Sequence, residues 1–167
     1  MSRLPMTITR FWEIIGDVHE ASGGDMDVKC DLLRERLETL DPDEMKSFRR
    51  HFDACDAKAY TWGLWGAAYV IDGGCSDDGF DDFRSTLISQ GRAVFESAVK
   101  DPDSLAEQPY LDGEPCYEGF AYAVTDAEEQ VVGEAGIRSD FPTTPSGDDW
   151  DEEDLPRLYP KLSRRFP

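Results

Sequence analysis

Five aspartates crowd one short stretch of this chain, Asp72, Asp77, Asp78, Asp81 and Asp82, within YTWGLWGAAYVIDGGCSDDGFDDF from Tyr60 to Phe83. Carboxylates at that density can hold a hard cation or a basic ligand, and Trp62 and Trp65 just upstream can wall such a cleft with aromatic faces. Arg84, Gln90 and Arg92 follow on the next helical stretch and add polar groups of their own. The candidate binding set is therefore Trp62, Trp65, Asp77, Asp78, Asp81, Arg84, Gln90 and Arg92. A purely structural use competes with it: Ser76, Asp77 and Asp78 cap a helix while Trp62, Trp65 and Phe83 fill the core. The two arginines then pair with the acids around them. A calcium loop of the helix–loop–helix kind does not fit, because its ligand positions, central Gly and closing Glu fail to align from any start.

Other chemistries find little support. Acid–base catalysis near neutrality needs a group that titrates there, and the chain has only His19 and His51. His19 falls late in a helical stretch, where the dipole favours a cation at the surface. His51, one position off an apolar stripe, reads as a partly buried, hydrogen-bonded ring. With 36 Asp and Glu, chance carboxylate pairs are inevitable, so a glycosidase-like pair carries no signal. Ser76, Ser85 and Ser89 lack the G-x-S-x-G context, and Gly73-Gly74 and Gly79 have the wrong spacing for phosphate or dinucleotide loops. Cys75 stands where a helix begins, a position that lowers a thiol's pKa, but Asp77 and Asp78 oppose the thiolate. No catalytic residue, metal ligand set or cofactor is assigned.

Charge narrows the partners. Of 167 residues, 17 are Lys or Arg and 36 Asp or Glu, a formal net charge of −19. Such a chain repels phosphate backbones and anionic lipid, so neither nucleic acid nor membrane is expected; a basic protein partner is. Residues of hydrophobic type make up 40% and aromatics 11%, enough for a core. Leu64 to Ile71 is the longest nearly unbroken apolar run, far short of a bilayer span. Near the start, Glu13 interrupts before any signal-peptide core forms, which predicts a cytoplasmic protein. Cys30, Cys55, Cys75 and Cys116 are spaced like neither a zinc site nor a redox CxxC, so free, mostly buried thiols are expected.

Helices must position these groups. Phe11, Trp12, Ile14, Ile15 and Val18 predict a helix over about 10–21, capped by Thr9 and stopped by Gly23-Gly24. Val28, Leu32, Leu33, Leu37 and Leu40 form one face of a second. Asp41-Pro42-Asp43-Glu44 starts a third, because Asp41 caps and Pro42 fits the first turn. Its stripe Met45, Phe48, Phe52, Cys55, Ala59, Trp62 and Gly66 runs to a stop at Gly73-Gly74, with a possible break between Tyr60 and Gly66. Ser76 opens another helix, whose stripe from Phe80 to Val99 Gly91 divides or kinks. Phe120, Val124, Ala127 and Val131 predict one more, ending near Gly133. Residues 139–149 read as an extended arm, and Trp150, Leu155, Leu158, Tyr159 and Leu162 are expected to dock. The expected fold is mainly α, a compact bundle of about five to six helices over 1–138, with a Pro-rich acidic C-terminal arm over 139–167.

The run YTWGLWGAAYVIDGGCSDDGFDDFRSTLISQGRAVFESAVKDPDSLA resembles the core of the bacterial family called domain of unknown function 4240. TRFWEII, LDPDEMKSFRRHFD and DDWDEEDLPRLYPKL resemble that family's flanking blocks. The resemblance implies a compact helical protein and carries over no catalytic residue. The functional expectation is a non-enzymatic interaction domain that engages a basic partner through its acidic face. The alternative is a ligand- or metal-binding cleft, enzymatic in one version, around residues 60–92.

Overall fold

The computed structural model describes residues 4–138 and 140–167. Helices dominate, and no strand is formed among the described residues. The order is α1 (Ile8–Ser22), α2 (Met26–Leu37), α3 (Pro42–Ala59), α4 (Trp62–Asp72), α5 (Asp77–Ser89), α6 (Arg92–Lys100), α7 (Phe120–Val132), and short α8 (Leu155–Leu158) and α9 (Pro160–Arg165). Two 3-10 turns, Pro102–Glu107 and Pro109–Asp112, lead from α6 toward α7.

Local chemistry sets most of the boundaries. Asp41 and Glu44 form a reciprocal capping box at the start of α3, the Asp41 carboxylate accepting from Glu44 N at 2.9 Å. Ser76 caps α5, its Oγ accepting from Gly79 N at 3.1 Å. The cap of α1 is Thr7, not Thr9: Thr7 has the extended backbone of a cap, and its Oγ1 accepts from Arg10 N at 3.1 Å.

The chain is cut into more helices than the expected five to six, and the reason is tertiary. At Tyr60 the backbone leaves the helical region (φ −77°, ψ 76°) because residues 60–62 pair with the C-terminal segment. Trp62 N donates to Ser146 O at 2.9 Å, and Ser146 N donates to Tyr60 O at 3.1 Å. Thr61 then caps α4 afresh. The second cut falls at Gln90–Gly91, where Gly91 has φ 100°, a conformation costly for any residue with a side chain.

Facing stripes of α1, α2, α3, α5 and α7 supply the core. Phe11, Leu33, Phe48, Phe80, Phe83 and Phe120 are at most 1% exposed. Each such side chain contributes about 1.5–3 kcal/mol on burial, so these stripes dominate stability. Beyond the irregular residues 140–151 the chain turns helical and docks. Leu155, Tyr159 and Leu162 are buried, whereas Leu158, expected to dock, is 42% exposed. Tyr159 OH donates to Gly63 O at 2.5 Å, Trp150 Nε1 donates to Trp62 O at 2.7 Å, and Asp103 accepts from Leu162 N at 2.9 Å. Gly66 permits this approach: a Cβ there would lie 2.8 Å from Tyr159 Cε2 and 2.9 Å from Trp150 Nε1. No helix among the described residues is long and apolar enough to cross a membrane.

Candidate functional site

Three helices enclose the main hollow, of about 530 Å³. From α3 it takes Arg49, Phe52, Asp53 and Asp56, and from α5 Asp78, Asp81, Asp82 and Ser85, each set spaced to fall on one helical face. Glu118 and Gly119 form the lip before α7, and Ala121, Tyr122, Val124 and Thr125 the α7 wall. Arg138, just beyond α7, closes one side. Phe52, Ala121 and Val124 make the lining partly apolar, and Tyr122 stands 57% exposed beside it.

Behind the hollow lies a guanidinium that the chain has taken almost wholly out of water. Arg84 has a side chain only 1% exposed. Its Nε donates to Asp56 at 2.7 Å and its Nη2 donates to Asp81. Its charged plane lies over aromatic faces, with Cζ 4.5 Å from the Phe80 ring centre and 4.8 Å from that of Tyr60. Nη1 is enclosed and has no hydrogen-bond partner among the described residues. Arg138 donates to the other Asp56 oxygen and stacks 3.7 Å from the Phe141 ring centre. Arg49 bridges Asp53, at 3.0 Å, and Glu128. Buried ions are stable only when paired in this way, so the network fixes the walls.

Six carboxylates line the hollow, and this internal pairing satisfies only some of them. Asp53, Asp56 and Asp81 have arginine partners. Asp78, Asp82 and Glu118 have no ion-pair partner among the described residues. Burial, followed by the negative charges of Glu118, Asp81 and Asp78, holds the Asp82 carboxyl above its ordinary value. Burial likewise raises Asp53, and Asp56 adds to the effect. The acids are spread around the rim, and no three His, Cys, Asp or Glu among the described residues gather as a set able to hold a metal ion.

The eight residues singled out from sequence do not form one cleft. Asp78 and Asp81 line the hollow and Arg84 braces it from behind, while Asp77 points to solvent on the first turn of α5. Trp62 and Trp65 stack on each other at 5.5 Å and serve packing: Trp62 meets Trp150 edge-on, and Trp65 stacks on Phe80 and donates to Cys75 O at 3.0 Å. Gln90, at the far end of α5, faces a separate hollow with His19 and Tyr110. Arg92 pairs with Glu96 at 2.9 Å on the surface. His51 Nε2 donates to Met6 O at 2.6 Å, as its half-buried position implied. His19 is not the surface cation expected: its Nδ1 is enclosed without a hydrogen-bond partner among the described residues, and burial together with nearby Lys29 lowers its pKa. Sequence reasoning missed Asp53, Asp56, Glu118, Arg49 and Arg138. The i, i+3/i+4, i+7 recurrence of polar residues at 49, 53 and 56 was the available signal, since it runs alongside the apolar stripe of α3.

Fold and hollow define an acidic, mainly helical protein built around a buried arginine. The chain belongs to the family described as protein of unknown function DUF4240, whose model matches residues 6–130, a span that contains α3, α5 and nearly all of α7. No curated protein and no solved structure matches the chain.

Proposed function

We propose that this chain is a protein-interaction module whose α3–α5–α7 hollow receives a basic side chain of its partner. The observation that carries the reading is a set of three carboxylates on one hollow, Asp78, Asp82 and Glu118, with no ion-pair partner among the described residues; burial first, and then the charges of Glu118, Asp81 and Asp78, hold the Asp82 carboxyl above its ordinary value. A guanidinium or ammonium entering between them relieves that repulsion, and the planar guanidinium can also stack on the exposed Tyr122 ring. The net charge of −19 steers a basic partner from a distance, and the hollow selects the side chain that inserts.

A fluorescein-labelled hexa-arginine peptide serves as the probe, its binding followed by anisotropy at low salt. The D78N/D82N/E118Q variant is compared with E35Q/E129Q/E134Q, which removes the same charge from exposed sites that do not line the hollow. Three partly screened interactions sum to about 1.5 kcal/mol, so the first variant should weaken binding about tenfold and the control far less. Equal weakening by both would reduce the interaction to bulk charge and refute the site.

A further inference from the structure

One cation already stands in the acidic hollow, on a tether of the chain itself. Arg138 lines the hollow from the irregular stretch that follows α7. Residues 134–145 make no backbone–backbone hydrogen bond among the described residues, so side chains hold this stretch to the helices. Arg138 Nη1 donates to Asp56 Oδ2, its Cζ lies 3.7 Å from the Phe141 ring centre, and that ring packs 5.1 Å from the ring of Tyr60. The two arginines on Asp56 are not equivalent. Arg84 holds Oδ1 from a side chain 1% exposed, whereas Arg138 holds Oδ2 from one 35% exposed. The first pair is buried structure; the second is open to water, screened and exchangeable. Asp56 keeps a buried partner when Arg138 leaves.

We propose that Arg138 is an internal ligand of the hollow, an autoinhibitory contact that an arginine of the partner displaces. The inference rests on the reading of the hollow as a receptor for a basic side chain. Arg138 opposes an incoming cation in two ways: it occupies Asp56 Oδ2, and it places a positive charge on the same lining as Asp78, Asp82 and Glu118. A guanidinium from outside offers what Arg138 offers, planar donors for the carboxylate and a face for the Phe141 ring, so one can replace the other at little cost. The partner's apparent affinity is lowered by the fraction of molecules in which Arg138 is in place. Displacement frees the stretch after α7 as far as Ser146, where the hydrogen bonds to Tyr60 and from Trp62 pin the chain again.

The test uses the full chain and the labelled hexa-arginine peptide at low salt. R138Q should bind it about three- to fivefold more tightly than wild type, the gain expected when one partly screened competitor is removed. R92Q is the control: it removes the same charge and also frees a carboxylate, since Arg92 pairs with Glu96, but it does not line the hollow, and it should change binding far less. In the wild type, the Arg138 Nε–H resonance should move toward the position of a free arginine side chain as the peptide saturates. Equal effects of R138Q and R92Q, with D78N/D82N/E118Q still weakening binding, would overturn the internal ligand and leave the hollow's role standing. Weaker binding by R138Q would overturn it too, by showing that Arg138 builds the site. If D78N/D82N/E118Q binds like its own control, the hollow is not the receptor and both readings fall. An Arg138 resonance that stays in place at saturation would overturn the inference even if R138Q does not fold.

Discussion

Replacing Arg84 with Met keeps the length and apolar stem of the side chain while deleting the charge at the centre of the network. The Arg84 and Asp56 side chains are 1% and 8% exposed, so the pair lies in the regime where loss of one partner costs about 3–5 kcal/mol. Asp81 is 47% exposed, and its share is screened to less than about 1 kcal/mol. Arg138 still holds one Asp56 oxygen, which places the expected loss toward the lower bound, about 3 kcal/mol. Against a total stability of about 5–15 kcal/mol, the loss should move the urea midpoint by about 1.5 M for a slope near 2 kcal/mol/M. Adding Asp56→Asn to Arg84→Met should cost less than the two single losses combined, with a coupling of at least about 1 kcal/mol. Equilibrium urea unfolding at neutral pH measures all of these. A single-variant loss under about 1 kcal/mol, or strict additivity, would show that the buried arginine does not hold the walls together.

Lys29 offers a test by pH. Its side chain is fully buried, Nζ donates to Ser89 O at 3.1 Å and Ser89 Oγ at 3.2 Å, and burial lowers its pKa from 10.5 to about 8. Between those values the folded chain binds fewer protons than the unfolded one, so this group's contribution rises with pH, and below them a penalty of about 3 kcal/mol applies in full. The stability of Lys29→Met relative to wild type should therefore be greatest near neutrality and shrink by about 3 kcal/mol toward alkaline pH; a constant difference in paired urea melts would contradict this. Gly66→Ala drives a methyl against Tyr159 and Trp150, which should cost about 1–3 kcal/mol and speed tryptic cleavage at Arg157 and Lys161. Unchanged cleavage would show that the C-terminal helices do not rest on α4.

Local features were legible in sequence because their causes are local. The capping residues Asp41 and Ser76 act within three positions, and the apolar stripes of α1, α3 and α5 repeat within one helix. The break at Tyr60 was only half visible, since Ser146, far along the chain, is what holds it open. The hollow was hidden for the same reason. Arg84 meets Asp56 across 28 positions, Arg49 meets Glu128 across 79, and Arg138 meets Asp56 across 82. No spacing rule links residues that only tertiary packing brings together. The aromatic pair Trp62 and Trp65 drew attention as a ligand wall because indoles serve binding and packing alike; here their faces are spent on each other, Phe80 and Trp150. Among the five clustered aspartates, sequence could not separate Asp77, in solvent, from Asp78, Asp81 and Asp82, on the hollow, because that depends on where α3 and α7 lie.

Carboxyl-detected NMR titration of Asp82, in the free protein and with saturating hexa-arginine peptide, addresses the acidic hollow most directly. The free protein should show Asp82 titrating above the ordinary aspartate value of 3.8, and the bound peptide should bring it down as a cation settles among Asp78, Asp82 and Glu118. An Asp82 that titrates at or below that value when free, or that ignores the peptide, would contradict the account.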